Sequence, residues 1–251
     1  MSKSGKVFYK NIEGVFPNNV IAILTNRRGG FSRSSYSSMN LATHVGDDPQ
    51  AVAQNRNLLI KEAALPCEPL WLEQIHSDRA VYNSGPCDAP PLADASWTDI
   101  KGVVCVVLTA DCLPILMTNK AGTIASAIHA GWRGLANGVI KSTINATGEN
   151  AEDLIFWLGP NIGRCSFEVG NDVKSEFAKN GFDVDTNFFT SDDGKMYCDL
   201  VGLASSQLQE IGVKKENIVI DGTCCYEDSE HYYSFRRDND TGRFASLIYL
   251  K

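Results

Sequence analysis

The chain has 251 residues, 43% hydrophobic and 21% charged, enough apolar mass to fill a core in one large domain or two small ones. Its 23 basic and 30 acidic residues leave a net charge of −7, which argues against bulk nucleic-acid binding, because that needs a basic face. No run of about 18 apolar residues exists, so no membrane span is expected. Residues 1–6 lack the apolar core of a signal peptide, and the eight scattered cysteines form no C-x-x-C pair. The expectation is a cytoplasmic protein with reduced thiols.

Residues 20–25 (VIAILT) read as a buried strand feeding a basic, glycine-containing loop with Arg27 and Arg28. A polar loop follows, carrying Asn40 and His44. Pro49 opens a helix that runs through Arg56 to about Ala64, since proline suits the first helical turn. Residues 70–76 (LWLEQIH) alternate weakly and are expected as a strand with His76 near its end. Residues 86–94 hold three prolines and read as loop. Residues 102–108 (GVVCVVL) are β-branched and apolar on both faces, so a central strand is expected. Pro114 fits a continuing ladder poorly, which places Cys112 at a strand end or bulge, with a strand resuming at Ile115.

Residues 123–128 (TIASAI) lead into His129-Ala130-Gly131-Trp132-Arg133-Gly134, and Leu135, Val139, Ile140 and Ile144 leave it at helical spacing. His129 is therefore expected at the carboxyl end of a strand, with Gly131 and Gly134 permitting a tight turn into a helix. Ligand sites in α/β folds favour such places, and a helix start offers free N–H groups to an anion. Arg133 adds a fork suited to phosphate or carboxylate. A glycine turn beside a core histidine would look the same locally. Further on, residues 154–158 read as a strand stopped by Gly159-Pro160, and residues 168–177 as a helix. Leu200, Leu203, Ala204, Leu208 and Ile211 mark a helix with Asp199 as N-cap and Gly212 as its stop. Val219-Ile220 and residues 244–250 are strands. Elements mix without strict βαβ alternation and no linker divides the chain, so the expectation is one α/β domain of layered (α+β sandwich) type over residues 1–251.

The expected strand ends present His76, Cys112 and His129, spaced too widely for a zinc finger but suited to ligands gathered by tertiary structure. Two imidazoles and one thiolate suit Zn²⁺ and leave a fourth position open, where bound water can reach a pKa of roughly 7. The same atoms also fit a Cys112 nucleophile with His129 as base, or a structural core. A zinc-stiffened binding module would instead close the fourth position with a protein ligand. Pattern alone leaves these readings open.

Gln74-Ile75-His76, the segment TADCLP at 109–114 and HAGWRG at 129–134 resemble the signature segments of the YfiH-like family. That family is also labelled multicopper polyphenol oxidoreductase (laccase) and purine nucleoside phosphorylase. The resemblance extends to residues 25–32, 40–48, Asn55-Arg56, 159–163 and 234–243. It implies a single α/β sandwich related to the catalytic domain of cytotoxic necrotizing factor. It also implies a zinc enzyme that cleaves adenosine, inosine and methylthioadenosine with phosphate, with adenosine deaminase activity beside it, and ligands His76, Cys112 and His129. A Cys-His hydrolase editing a peptidoglycan precursor is the alternative. A single-copper polyphenol oxidase is another, since Cu²⁺ outcompetes Zn²⁺ in raw affinity. Four histidines cannot supply a trinuclear copper cluster and a blue site together. The zinc deaminase pattern of H-x-E with P-C-x-x-C is missing.

Among the remaining residues, Arg133 is the first candidate for phosphate, with Arg27, Arg28, Arg56 and Arg243 behind it and Asn40 as a substrate contact. His44 is the candidate acid or base. Phe31, Trp132 or Phe235 could stack on a base, although core packing is the ordinary role of each. Thr223-Cys224-Cys225 departs from the family's Cys-Thr, and packing beneath the site is the expectation there. The implied partners are a nucleoside and phosphate, with no nucleic acid and no membrane; a weak homo-oligomer is compatible with the sequence.

Overall fold

Strand parity decides how this chain layers. The computed structural model describes residues 8–87 and 89–251; the segment read for a signal peptide, and Asp88 of the proline-rich loop, lie outside the described residues. The strands are β1 (Tyr9–Asn11), β2 (Val20–Thr25), β3 (Ala80–Tyr82), β4 (Ala95–Thr98), β5 (Val104–Thr109) and β6 (Leu113–Asn119). They continue with β7 (Ala125–Ala130), β8 (Leu154–Leu158), β9 (Phe188–Thr190), β10 (Met196–Cys198), β11 (Ile218–Ile220) and β12 (Phe244–Leu250). The helices are α1 (Pro49–Glu62), α2 (Trp132–Ala136), α3 (Val139–Thr147), α4 (Asn171–Lys179), α5 (Val184–Asn187), α6 (Leu200–Ile211) and α7 (Phe235–Asp238).

One sheet has the order β1-β2-β12-β5 and is antiparallel throughout. A second has the order β11-β8-β6-β7-β4-β3, antiparallel at its centre and parallel at both edges, and β9 and β10 pair as a separate two-stranded antiparallel sheet. Alternate residues of the strands feed different cores. Cys105 and Val107 of β5 join Leu116 of β6, Ala127 of β7 and Trp157 of β8 between the sheets. Val104, Val106 and Leu108 of β5 face outward onto Leu59 of α1 and the loop residues Met39 and Leu41. On the far side, Ile115, Ile128 and Phe156 of the six-stranded sheet meet Ile140 of α3, Phe177 of α4 and Leu203 of α6. The result is a mixed α/β fold layered helix, sheet, sheet, helix.

Several local expectations hold. α1 begins at Pro49 with Asp48 as N-cap, β8 and β12 fall on their apolar runs, and Asp199 caps α6 by accepting from Gly202 N–H. Others change. Residues 70–76 form no strand: only isolated bridges, Leu70 to Cys105 and Glu73 to Leu92, tie them to neighbours. Single backbone bonds tie Leu70 N–H to Val104 O, Glu73 N–H to Pro91 O and Ala93 N–H to Glu73 O, and the Asp94 side chain accepts the N–H groups of Ile75 and His76. β5 is buried on both faces, yet it is the edge of its sheet. The layers on either side, not flanking strands, explain its apolar character, and the Gln74 side chain bonds Leu108 N–H and O at 2.8 Å each along that edge. Pro114 lies inside β6, paired with His129, because a proline near the start of a strand costs little ladder. The helix expected from Leu135 to Ile144 is two helices, broken at Gly138, which adopts φ 92°. The helix expected at 168–177 starts at Asn171, after Gly170. Among the described residues no helix is long and apolar enough to cross a membrane.

Candidate metal centre

Three segments deliver the site. His129 is buried near the end of β7, its N–H bonded to Asp94 O at 2.7 Å. Cys112 sits in the turn between β5 and β6, after Asp111, whose φ is 89°. His76 ends the extended segment at φ 60°. Left-handed backbone at non-glycine residues costs about 1–2 kcal/mol, so two such positions beside two prospective ligands mark a place where the fold holds geometry against strain. The donor atoms of His76, Cys112 and His129 lie within 4.8 Å of one another. Cys112 Sγ is 3.8 Å from His76 Nε2, and the two imidazoles meet edge-on with centroids 4.9 Å apart.

This set fits a metal ion. Tetrahedral zinc with ordinary Zn–S and Zn–N lengths would separate sulfur from nitrogen by about 3.6 Å, close to the spacing seen. A Cβ on Gly131 would lie 2.7 Å from His76 Cδ2 and 3.1 Å from Cys112 Sγ, so only a bare backbone leaves the donors free to converge. Gly134 likewise lets α2 approach Ser77 O, which would sit 2.8 Å from an added Cβ. Gly131 has an ordinary φ of −63°. Close approach, rather than a special turn conformation, is thus what the two glycines provide.

Asp94 binds the construction together. It is fully buried, and its Oδ1 accepts from His129 Nδ1 at 2.8 Å, which leaves His129 Nε2 as the donor to the site. The same carboxylate accepts the N–H groups of His76 at 2.9 Å and Ser77 at 2.6 Å. One side chain therefore orients one imidazole and fixes the backbone under the other. Burial alone would push the Cys112 thiol up, but the charge and hydrogen bonds of His129 and His76 overcome it and bring the thiol down to about 6. Burial would also lower His129; the Cys112 thiolate and Asp94 instead raise it to about 9. Without metal the pair is a thiolate and an imidazolium.

The triad opens on a cavity of about 430 Å³ walled by Trp132, Ile162, Phe167, Leu200 and Phe235, a size and character usual for small-molecule sites. Arg133, Arg236 and Arg243 also line it. His44 lies on the same wall, and burial, Arg243 and Arg56 lower its pKa. Asn40 does not line the cavity. Its amide bonds Ala42 O and Asp47, and its Oδ1 accepts from Ala42 N–H and Arg243 N–H, so it holds the Arg243 backbone from behind. Arg56 is also off the wall, lying over the Trp71 ring and bonding Leu41 O at 2.9 Å. Arg27 and Arg28 line a separate hollow, Arg28 paired with Glu230. Phe31 is exposed elsewhere. Cys224 accepts Gly163 N–H at 3.1 Å, next to the wall residue Ile162. Sequence reasoning missed Asp94, an acidic residue between two alanines whose partners are 18 and 35 residues away. It also missed Asp111, Phe167 and the role of Arg236.

The model of the family described as multi-copper polyphenol oxidoreductase laccase matches residues 21–251. The chain belongs to that family. A relative named purine nucleoside phosphorylase YfiH, from Escherichia coli (strain K12), is 42% identical over 234 residues, 93% of this chain and 95% of its own length. A purine nucleoside phosphorylase of Haemophilus influenzae is 40% identical over 242 residues, 94% of this chain and 96% of its own. Among solved structures, a Neisseria meningitidis protein superposes with a TM-score of 0.91 at 41% identity, covering 97% of this chain and 99% of its own. YlmD from Geobacillus stearothermophilus superposes with a TM-score of 0.86 at 27% identity, each chain 93% covered. In this member of the laccase-like family, His231 is paired with Asp228 at 2.9 Å beside a different hollow. Only three of the chain's four histidines therefore line the triad cavity.

Proposed function

We propose that the cavity is the active site of a zinc-dependent purine nucleoside phosphorylase, converting adenosine, inosine or methylthioadenosine and phosphate to free base and a sugar 1-phosphate. The observation that carries this reading is the opening of a His76–Cys112–His129 donor set onto one apolar cavity edged by guanidinium groups. The names of the relatives support it. His76, Cys112 and His129 would hold the zinc, and three protein donors suit a site that also admits substrate. Bound zinc supplies Lewis-acid polarisation of a substrate oxygen.

The chain's own residues position the reactants. Arg133 and Arg243 hold phosphate by charge and directed N–H groups. Trp132, Phe167 and Phe235 line the cavity, each with an arginine over one face, which leaves the opposite face or the ring edge for a planar base. Asp94 keeps the His129 ring oriented. His44, with its lowered pKa, is a neutral imidazole at pH 7 and can pass a proton at the cavity wall. Deamination of adenosine would be a side activity of the same cavity. The one carboxylate on its wall among the described residues, Asp111, already accepts Arg236 N–H at 2.6 Å, which favours phosphorolysis over deamination.

The test is purified protein with inosine, with and without phosphate, and metal measured by elemental analysis. Hypoxanthine release that requires both phosphate and about one zinc per chain is expected; a zinc-loaded protein that releases none would refute the reading. A second reading has its own observation. Cys112, His129 and Asp94 form a chain of thiolate, imidazolium and carboxylate, the arrangement of a cysteine hydrolase. Such an enzyme would act on a peptidoglycan precursor without metal. Cleavage of such a precursor by metal-free protein, lost in Cys112→Ser, favours it.

A further inference from the structure

Three guanidinium groups line the cavity, and none is paired with a carboxylate side chain among the described residues. They are not equivalent. Arg133 rests over the Trp132 ring, 4.2 Å from its centroid, with no side-chain hydrogen bond to fix it among the described residues. Arg243 has Nη1 turned back onto the carbonyls of Thr241 and Gly242 at 2.9 Å each. Arg236 is held at two points. Its backbone N–H donates to Asp111 Oδ2 at 2.6 Å, and its Nη1 donates to Glu168 O at 2.7 Å. Its Nε and Nη2 have no protein acceptor among the described residues. That edge is a fork of two parallel donors on an exposed residue of the cavity lining, the geometry that binds two oxygens of a tetrahedral anion.

Asp111 is an unusual residue to use as the anchor. It is nine-tenths buried and holds φ 89°; the Ser234 hydroxyl lies by its carboxyl, but its Oδ1 makes no hydrogen bond of ordinary geometry among the described residues. Its carbonyl accepts Ile162 N–H at 2.9 Å, so the residue also ties the Cys112 turn to the cavity wall. A strained, half-satisfied carboxylate is costly, and packing alone does not call for one. What it achieves is a fixed relation between the sulfur of Cys112, one residue on, and the first turn of the short helix that carries Arg236.

We propose that Arg236 is a phosphate-binding residue of this cavity and that Asp111 is its positioning residue. The proposal rests on the phosphorylase reading for its co-substrate, inorganic phosphate. Arg236 supplies the fixed fork, Arg243 supplies charge from the inner wall, and Arg133 closes from the stacked position. Phosphate is then held at a set distance from the metal ligands before nucleoside enters, so its immobilisation does not burden the reaction step.

The experiment is equilibrium dialysis of the zinc-loaded protein against radiolabelled inorganic phosphate, beside steady-state phosphorolysis of inosine and a zinc assay on each variant. Arg236→Gln is expected to weaken phosphate, in both Kd and KM, by about tenfold or more, and to leave the inosine KM within about threefold. Arg236→Lys, which keeps the charge but loses the fork, falls between. Arg28→Gln, in the separate hollow, leaves phosphate binding as in the wild type. Asp111→Gly suits the left-handed backbone but removes the carboxylate, and follows Arg236→Gln. Asp111→Asn retains an oxygen for Arg236 N–H and stays near the wild type. Wild-type phosphate affinity in Arg236→Gln overturns the proposal whether or not inosine is cleaved. Equal effects of Asp111→Gly and Asp111→Asn overturn the positioning role; should Asp111→Gly fail to fold, the Arg236 variants decide the site. Phosphate binding that depends on Arg236 in a protein that never cleaves inosine keeps the anion site and rejects the phosphorylase reading.

Discussion

Replacing Gly131 with alanine should loosen the metal while sparing the fold. The backbone at Gly131, φ −63° and ψ 155°, accepts alanine without strain. The added methyl would stand 2.7 Å from His76 Cδ2, 3.3 Å from His76 Nε2 and 3.1 Å from Cys112 Sγ. Carbon atoms pack at about 3.5–4.0 Å, so the imidazole must retreat by about 1 Å. Metal–ligand distances tolerate only about ±0.2 Å, so a ligand displaced that far cannot coordinate as before. Overpacking of this kind costs about 1–3 kcal/mol. His76 sits on a segment without strand pairing and can swing away when no metal is present, so the cost should fall on the bound state. The zinc dissociation constant should then rise about 5- to 150-fold. Competition against a chromophoric chelator measures that constant, and thermal unfolding of the metal-free protein measures the fold. Wild-type zinc affinity in Gly131→Ala would show that the three side chains do not act as one ligand set. A large fall in the metal-free melting temperature would show that the overlap is absorbed by the core instead.

Asp94→Asn should be damaging in two ways, because one buried carboxylate serves His129 Nδ1 and the N–H groups beneath His76. Zinc affinity should fall about 10- to 100-fold in chelator competition, and the metal-free protein should lose about 3–5 kcal/mol in urea unfolding as a buried charge pair is broken. In the metal-free protein, Cys112 should react with iodoacetamide as a thiolate down to about pH 6 and slow below it, whereas thiols of the unfolded chain fall away below about pH 8.5. The signature is in reactivity, not stability. The folded pair keeps its proton on His129 while the unfolded pair keeps it on Cys112, so between about pH 6.5 and 8.5 folding takes up no net proton from them. Mass spectrometry of alkylated peptides across pH checks this, and loss of Cys112 labelling at pH 7.5 would contradict it. As a control, Asp199→Ala, which removes the cap bond to Gly202 N–H, should cost about 0.5–2 kcal/mol in unfolding without altering zinc affinity.

Local chemistry determined much of this protein. The apolar runs of β8 and β12, the proline opening α1 and the Asp199 cap of α6 are fixed by residues within a few positions of one another, and each was legible in the sequence. His76, Cys112 and His129 could be picked out as candidates, but pattern left metal, nucleophile and core readings open, and only the fold brought their donor atoms within 4.8 Å. The tertiary structure decided what depends on partners far along the chain. Residues 70–76 look like a strand, yet they make only single bridges to β5 and to the loop at 91–93, and the Asp94 side chain takes the N–H groups at their end. β5 looks central but is an edge, because layers above and below hide apolar side chains as well as neighbouring strands would. HAGWRG reads as a turn, but its glycines serve the approach of another loop. Which arginines face the cavity was likewise undecidable from spacing: Arg56 and Arg243 look alike in the chain, but one stacks on Trp71 and the other borders the cavity. Identity sets what a side chain can do, whereas burial, charge neighbours and free donors are properties of place, and place is fixed only when distant segments pack.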